Sequence, residues 1–183
     1  MAEEGNPPPS EIVHDPESFV VPLPPTGLSK VLGLLEVLDD HGGREDIYKL
    51  ARELRDSFGE LIIIIKAAEI LNFVETPGGD LVLLPLGKQV IELPVNEKKK
   101  IISQQVAKLP LIAHMLRFLA ARENHQASRP EVIEELTRVM PTERPKPQFD
   151  ALVNWGRYSE LMTFSRDEDV LKLSEKAIQS QKE

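Results

Sequence analysis

The chain contains no cysteine. This absence excludes disulfide bonds, a thiolate nucleophile and any metal site that uses cysteine ligands. It is typical of proteins in a reducing cytoplasm, which is where we expect this one. Aromatic residues are also scarce, at 5% of the 183 residues. The core must therefore consist mostly of Leu, Ile, Val and Ala.

Long apolar runs are missing as well. The most apolar short run covers residues 61–65, far below the roughly 20 residues that a membrane-spanning helix needs. Residues 1–15 contain acidic residues and prolines, but neither the basic nor the apolar part of a secretory signal. We therefore expect a soluble, folded protein without membrane insertion.

Positive charge is scarce in the first half of the chain. Residues 1–95 carry 7 Lys/Arg and 17 Asp/Glu, a net charge of −10, whereas residues 96–183 carry 15 and 13, a net charge of +2. An acidic surface repels a phosphate backbone, because non-specific affinity for nucleic acid comes from Lys and Arg. The acidic half is most simply a solvated surface.

The chain begins with a proline-rich stretch and then becomes helical. Prolines in residues 1–25 favour extended conformations and predict a disordered leader. Residues 26–95 show three helical periods, followed by two apolar runs that residues 77–80 join. The second of these helices should have Phe58 on its apolar face and end at Gly59. Three helices followed by a hairpin is the order of a winged helix-turn-helix module.

The second half repeats this order in shorter form. Residues 96–174 begin with one long linking helix over about 96–122, in which Pro110 should introduce a kink or a split. A capping box at residues 128–131, a helix from about 148 to 161 and a second hairpin follow. Residues 175–183 read as a polar tail. We predict a mainly α fold with small β-hairpins (α+β), in which tandem winged helix-turn-helix modules are joined by a long helix.

Sites for catalysis, cofactors and metals are not apparent. The four histidines, 14, 41, 114 and 125, include no pair at the i, i+4 spacing of a helical metal site. No Gly-x-Ser-x-Gly turn presents a serine nucleophile. We assign no catalytic, cofactor-binding or metal-binding residue and expect a protein that is not an enzyme.

Two sets of side chains are candidates for contact with a partner. The third helix faces the core with Leu61, Ile62, Ile65, Ala68 and Leu71, which leaves apolar side chains on its other faces for the second module or for another protein. Trp155 and Tyr158 are either core residues or an exposed aromatic anchor. The candidate interaction residues are Ile63, Ile64, Lys98, Lys99, Lys100, Trp155, Arg157 and Tyr158.

Several spaced motifs resemble one known family. They are Pro-Pro-Thr-Gly-Leu at 24–28, Asp-His-Gly-Gly at 40–43, Leu-Pro-Leu-Gly-Lys at 84–88 and Asn-Trp-Gly-Arg-Tyr-Ser-Glu-Leu at 154–161. Together they resemble the C-terminal AAA-associated domain over about residues 24–174. That domain follows the nucleotide-binding cassette in ATPase subunits of ABC importers for nitrate, sulfonate and bicarbonate.

The cassette itself is missing from this sequence. A Walker A loop needs Gly-x-x-x-x-Gly-Lys-Ser/Thr, and around the only Gly-Lys, at 87–88, Val82 and Gln89 replace the first glycine and the hydroxyl. We therefore expect no ATP hydrolysis by that mechanism, and either a lone appendage or a free-standing relative.

The resemblance and the residues together favour a non-catalytic regulatory or assembly module that acts through protein contacts. The expected partner is a protein or a second copy, with an ABC cassette or permease as one candidate, which would place the chain peripherally at the inner face of the membrane. The alternative is a winged-helix transcription regulator that uses Lys98–Lys100 or Arg157 on DNA. A weaker third hypothesis is a sensor of the transported anion through Arg144 or Arg157.

Overall fold

The computed structural model describes residues 20–54 and 57–180, and most of these residues are helical. Two small antiparallel sheets complete the α+β fold. Most of the predicted disordered leader, residues 1–19, lies outside the described residues. Within the described ranges, no helix has both the length and the apolarity needed to cross a bilayer.

The first unit consists of three helices and a three-stranded sheet. In chain order its elements are α1 (Leu28–Asp40), β1 (Arg44–Asp46), α2 (Ile47–Leu54), α3 (Phe58–Ile70), β2 (Val74–Glu75) and β3 (Asp80–Leu83). The sheet has the order β1-β3-β2, with Leu81 opposite Glu45. The predicted hairpin is confirmed, and β1 extends it. Helix α4 (Pro85–Glu92) follows directly.

The second unit repeats the same order of elements. They are α6 (Pro110–Ala120), β4 (Gln126–Ser128), α7 (Arg129–Val139), α8 (Pro145–Tyr158), β5 (Met162–Ser165), β6 (Val170–Leu173) and α9 (Glu175–Ser180). Ala127 lies opposite Leu171 in a sheet of order β4-β6-β5, and Ser128 and Glu131 form the expected capping box. Helix α9 occupies most of the segment assigned to a polar tail, and its Ala177 is buried.

The predicted linking helix is split, which is one of the two effects expected of Pro110. Two helices occupy that segment, α5 (Val95–Ala107) and α6. Pro110 stands at the start of α6, and the residue before it, Leu109, is extended with φ −64° and ψ 132°. A proline ring clashes with a helical conformation of the preceding residue and has no N–H to donate, so Pro110 begins a helix instead of continuing one.

The predicted boundary between the second and third helices is wrong. Helix α2 ends at Leu54, and α3 begins at Phe58. The Ser57 hydroxyl accepts a hydrogen bond from the Glu60 amide at 3.2 Å, which caps the new helix. Gly59 therefore lies in the first turn of α3 and does not terminate α2.

Helix α3 buries a wider arc than its predicted core face. It contacts α1, α2 and β2, so neighbours cover several sides of the helix. Its Ile64 is only 6% exposed and lies in the core, while Ile62 is partly buried. The division of the isoleucines into core and surplus residues was therefore wrong at Ile64.

Helix α4 approaches the chain after α3 very closely at Gly87. A Cβ atom placed on Gly87 would lie 2.3 Å from the carbonyl oxygen of Phe73, which already accepts a hydrogen bond from the Leu84 amide at 2.9 Å. Only glycine allows this packing distance.

We expect Gly87→Ala to lower the free energy of unfolding by about 1–3 kcal/mol or more, because the added methyl forces α4 away from the sheet. The matched control is Gly33→Ala in α1, where an added Cβ meets no atom within 4 Å. That change should stabilise by about 0.5–1 kcal/mol, the usual gain of alanine over glycine inside a helix. Urea unfolding followed by circular dichroism measures both, and equal effects would contradict the close approach.

Candidate interaction surfaces

The tryptophan of α8 is buried at the junction of the two units. Trp155 has no exposed surface, and its indole Nε1–H donates a hydrogen bond to the carbonyl oxygen of Thr26 at 2.8 Å. Of the two roles considered for Trp155, the structure therefore shows the core role. Neither Trp155 nor Ile64 faces an external partner.

A second contact joins α8 to the segment before α1. The buried Gln148 accepts a hydrogen bond from the Leu23 amide at 2.9 Å and donates one to the Leu23 carbonyl at 3.2 Å. Leu23 itself is only 2% exposed. Residues 20–25 were assigned by sequence to the leader, but Leu23 is thus held against α8 by a side chain 125 residues away.

The remaining candidates on α8 and α5 differ in exposure. Arg157 is exposed, and Tyr158 is partly buried, where desolvation raises the pKa of its hydroxyl. Lys99 donates a hydrogen bond to Glu160 at 2.8 Å, Lys100 is exposed, and Lys98 is partly buried. The three lysines therefore do not form one free basic patch.

An exposed pair of aromatic rings lies where α2 meets α3. The rings of Tyr48 and Phe58 stack with centroids 4.9 Å apart and planes 11° from parallel. They are 66% and 42% exposed, respectively. The sequence pattern placed Phe58 on the apolar face of the second helix and gave no signal at Tyr48. The spacing Ser57-x-x-Glu60, typical of a capping box, could have revealed the correct helix start.

A groove of about 700 Å³ lies between residues 21–25, α3 and residues 142–148. Its apolar lining includes Ile63 and Ile70 of α3, together with Val21, which is 53% exposed. Lys66, Glu69, Glu143 and Arg144 supply balanced charge around it. Of the predicted candidates on α3, Ile63 is thus the one at an accessible surface.

Several acidic side chains contact basic side chains or histidines. The most buried carboxylate, Glu135, contacts Arg138 and His114, each at 2.6 Å. The hydrogen bond from Arg138 is the main reason why the pKa of Glu135 falls to about 2. Across residues 20–54 and 57–180, no group of three or more His, Asp or Glu is placed to hold a metal ion.

A family model of the C-terminal AAA-associated domain matches residues 48–165, which is more than half of the chain. The chain belongs to this family. The matched part of this AAA-associated domain runs from Tyr48 in α2 to Ser165 at the end of β5. It is narrower than the expected range of 24–174, since α1 and β6 lie outside it. Comparison with curated proteins and with solved structures returned no match.

We expect Gln148→Ala to destabilise this AAA-associated domain by about 1–3 kcal/mol, because both hydrogen bonds to the Leu23 backbone are lost in a buried place. Gln89→Ala, an exposed position on α4, is the matched control and should change stability by less than about 0.5 kcal/mol. Urea unfolding followed by Trp155 fluorescence measures both. If the two variants are equally stable, α8 does not hold residues 20–25.

Proposed function

We propose that this AAA-associated domain is a non-catalytic regulatory or assembly module that acts through protein contacts with the ATPase of an ABC importer. Family membership supports an association with ABC ATPase-type proteins. The exposed Tyr48–Phe58 stack is the observation that carries the contact role, because large aromatic side chains dominate the energy of protein interfaces.

The stack is suited to binding by its rigidity and its surroundings. Each ring already rests against the other, so little side-chain entropy is lost when a partner covers them. Helix α2 also carries exposed charged side chains, of which Lys49 pairs with Glu45 at 3.4 Å and Glu53 with His41 at 2.9 Å. An apolar centre inside a polar rim is the usual composition of a protein interface.

Both units are proposed to be winged helix-turn-helix modules. Each has three helices around a three-stranded antiparallel sheet, and the strand that follows the first helix pairs with the last strand. In such a module, α3 and α8 would be the recognition helices. Helix α5 connects the two modules, in the position predicted for the long linking helix.

The recognition-helix positions favour protein over DNA as the partner. Helix α8 uses Gln148 and Trp155 to hold residues 23 and 26 inside the molecule. Helix α3 exposes Lys66 among Glu60 and Ile70, whereas base recognition relies on Arg, Lys, Asn and Gln side chains. We therefore do not propose a role as a transcription regulator.

The proposed location follows from the proposed partner. A contact with an importer ATPase places the chain in the cytoplasm, at the inner face of the membrane and without insertion. A second copy of the chain is the other protein partner that the exposed stack would accept.

The test is binding of the purified chain to the purified cassette ATPase of an ABC importer from the same genome, measured by calorimetry. Tyr48→Ser combined with Phe58→Ser should weaken binding at least about tenfold, which corresponds to about 1.4 kcal/mol. Val95→Ser is the matched control, because Val95 is 66% exposed but is separate from the stack. It should bind like the unchanged chain.

Circular dichroism should show that the double variant keeps its fold, since both rings are exposed. Light scattering on the chain alone measures the competing homodimer. Equal affinity of the double variant and the unchanged chain would remove the stack from the interface. A strict monomer that does not bind the cassette would contradict the interaction role.

A further inference from the structure

A second groove, of about 680 Å³, lies between α5, α6, the end of α8 and α9. Its lining has two chemical parts. Leu116, Leu161 and Ala177 provide apolar surface, and the ammonium groups of Lys99 and Lys100 provide positive charge. A ligand that matched both parts would have an apolar body and an anionic group.

Positive charge exceeds negative charge in this groove. The charged residues of its lining are Lys99, Lys100, Lys176 and Glu160. Three cations and one carboxylate give a net charge of +2, on a chain whose overall charge is −8. A local excess of this sign raises the concentration of anions at the groove.

Glu160 arranges two of these lysines. Lys99 donates a hydrogen bond to one carboxylate oxygen at 2.8 Å, and Lys176 donates to the other. The bonds from Lys176 and Lys99 lower the pKa of Glu160 to about 2. Glu160 therefore remains charged at neutral pH and fixes the position of the Lys99 ammonium, which has further N–H groups to donate.

The backbone of Glu160 is left-handed at the end of α8. Its φ of 59° is left-handed, and the equivalent residue after α3 in the first unit is Asn72, with φ 60°. Asparagine tolerates this conformation, whereas glutamate seldom adopts it. The Leu161 amide donates a hydrogen bond to the Gly156 carbonyl at 3.0 Å, so this conformation belongs to the turn that ends α8.

Lys100 is the cation left for a ligand. It is exposed, it lines the groove, and among the described residues none forms an ion pair with it. Its ammonium has three N–H donors for an anionic group.

We propose that this groove binds a small organic anion with a short apolar body, such as an alkyl phosphate or an alkyl carboxylate. Lys99 and Lys100 bind the anionic group, and the body packs against Leu116 and Leu161. The site is formed by other helices than those that carry the Tyr48–Phe58 stack, so it is independent of the proposed protein contact.

Calorimetry of the full chain with hexyl phosphate, inorganic phosphate and hexanol tests the two-part lining. Hexyl phosphate should bind at least about tenfold more tightly than inorganic phosphate, and hexanol should not bind. Equal affinity for the two phosphates, or no binding of hexyl phosphate, would overturn the proposal. Vesicles that contain phosphatidic acid test a membrane source of the same group, and binding to vesicles alone would also overturn it.

Lys100→Gln should weaken binding of hexyl phosphate about tenfold, the usual loss for one charge-assisted hydrogen bond. The matched control is Lys108→Gln, which removes the same charge from an exposed position just after α5 and outside the groove. It should change the affinity less than twofold. Thermal unfolding checks that both variants fold. An equal loss of affinity in both variants would show only long-range attraction and would overturn the proposal.

Discussion

The contact between α8 and the segment before α1 determines which surfaces of this protein are available. Trp155 and Gln148 use their polar atoms to bind the backbone of Thr26 and Leu23. Burial of an indole and an amide is favourable only when their hydrogen-bonding groups are satisfied. Because both groups find backbone partners here, the second unit holds the start of the first unit, and the face of α8 that carries Gln148 and Trp155 is buried.

The two units have the same order of elements but differ in what they expose. In the second unit, α8 makes the internal contact through Gln148 and Trp155. In the first unit, α2 and the start of α3 present the Tyr48–Phe58 stack, and the far end of α3 lines an apolar groove with Ile63 and Ile70. One repeat therefore carries the internal contact, and the other exposes a pair of aromatic rings.

Local signals in the sequence predicted most of the fold. The helical periods, both hairpins, the capping box at Ser128 and the interruption at Pro110 depend on neighbouring residues, and all of them are present. Strands β1 and β4 were missed because each has three residues and forms only by pairing with a distant strand.

The candidate sites were harder to predict for the same reason. Whether Trp155 was a core residue or an anchor depended on Thr26, 129 residues away. The exposure of Phe58 depended on a helix start that was placed too late. The groove around Lys99 and Lys100 needed α5, α8 and α9 to converge, which no stretch of sequence shows by itself. The family resemblance was confirmed by the match over residues 48–165.

The most direct measurement is the accessibility of Trp155, because it is the chain's only tryptophan and its fluorescence reports on one place. In the folded protein, acrylamide should quench the Trp155 fluorescence weakly, and the emission should be blue-shifted. The quenching efficiency and the emission wavelength should increase together, and only when the protein unfolds. Quenching as efficient as that of free tryptophan in the folded state would contradict the burial of the face of α8 that carries Trp155.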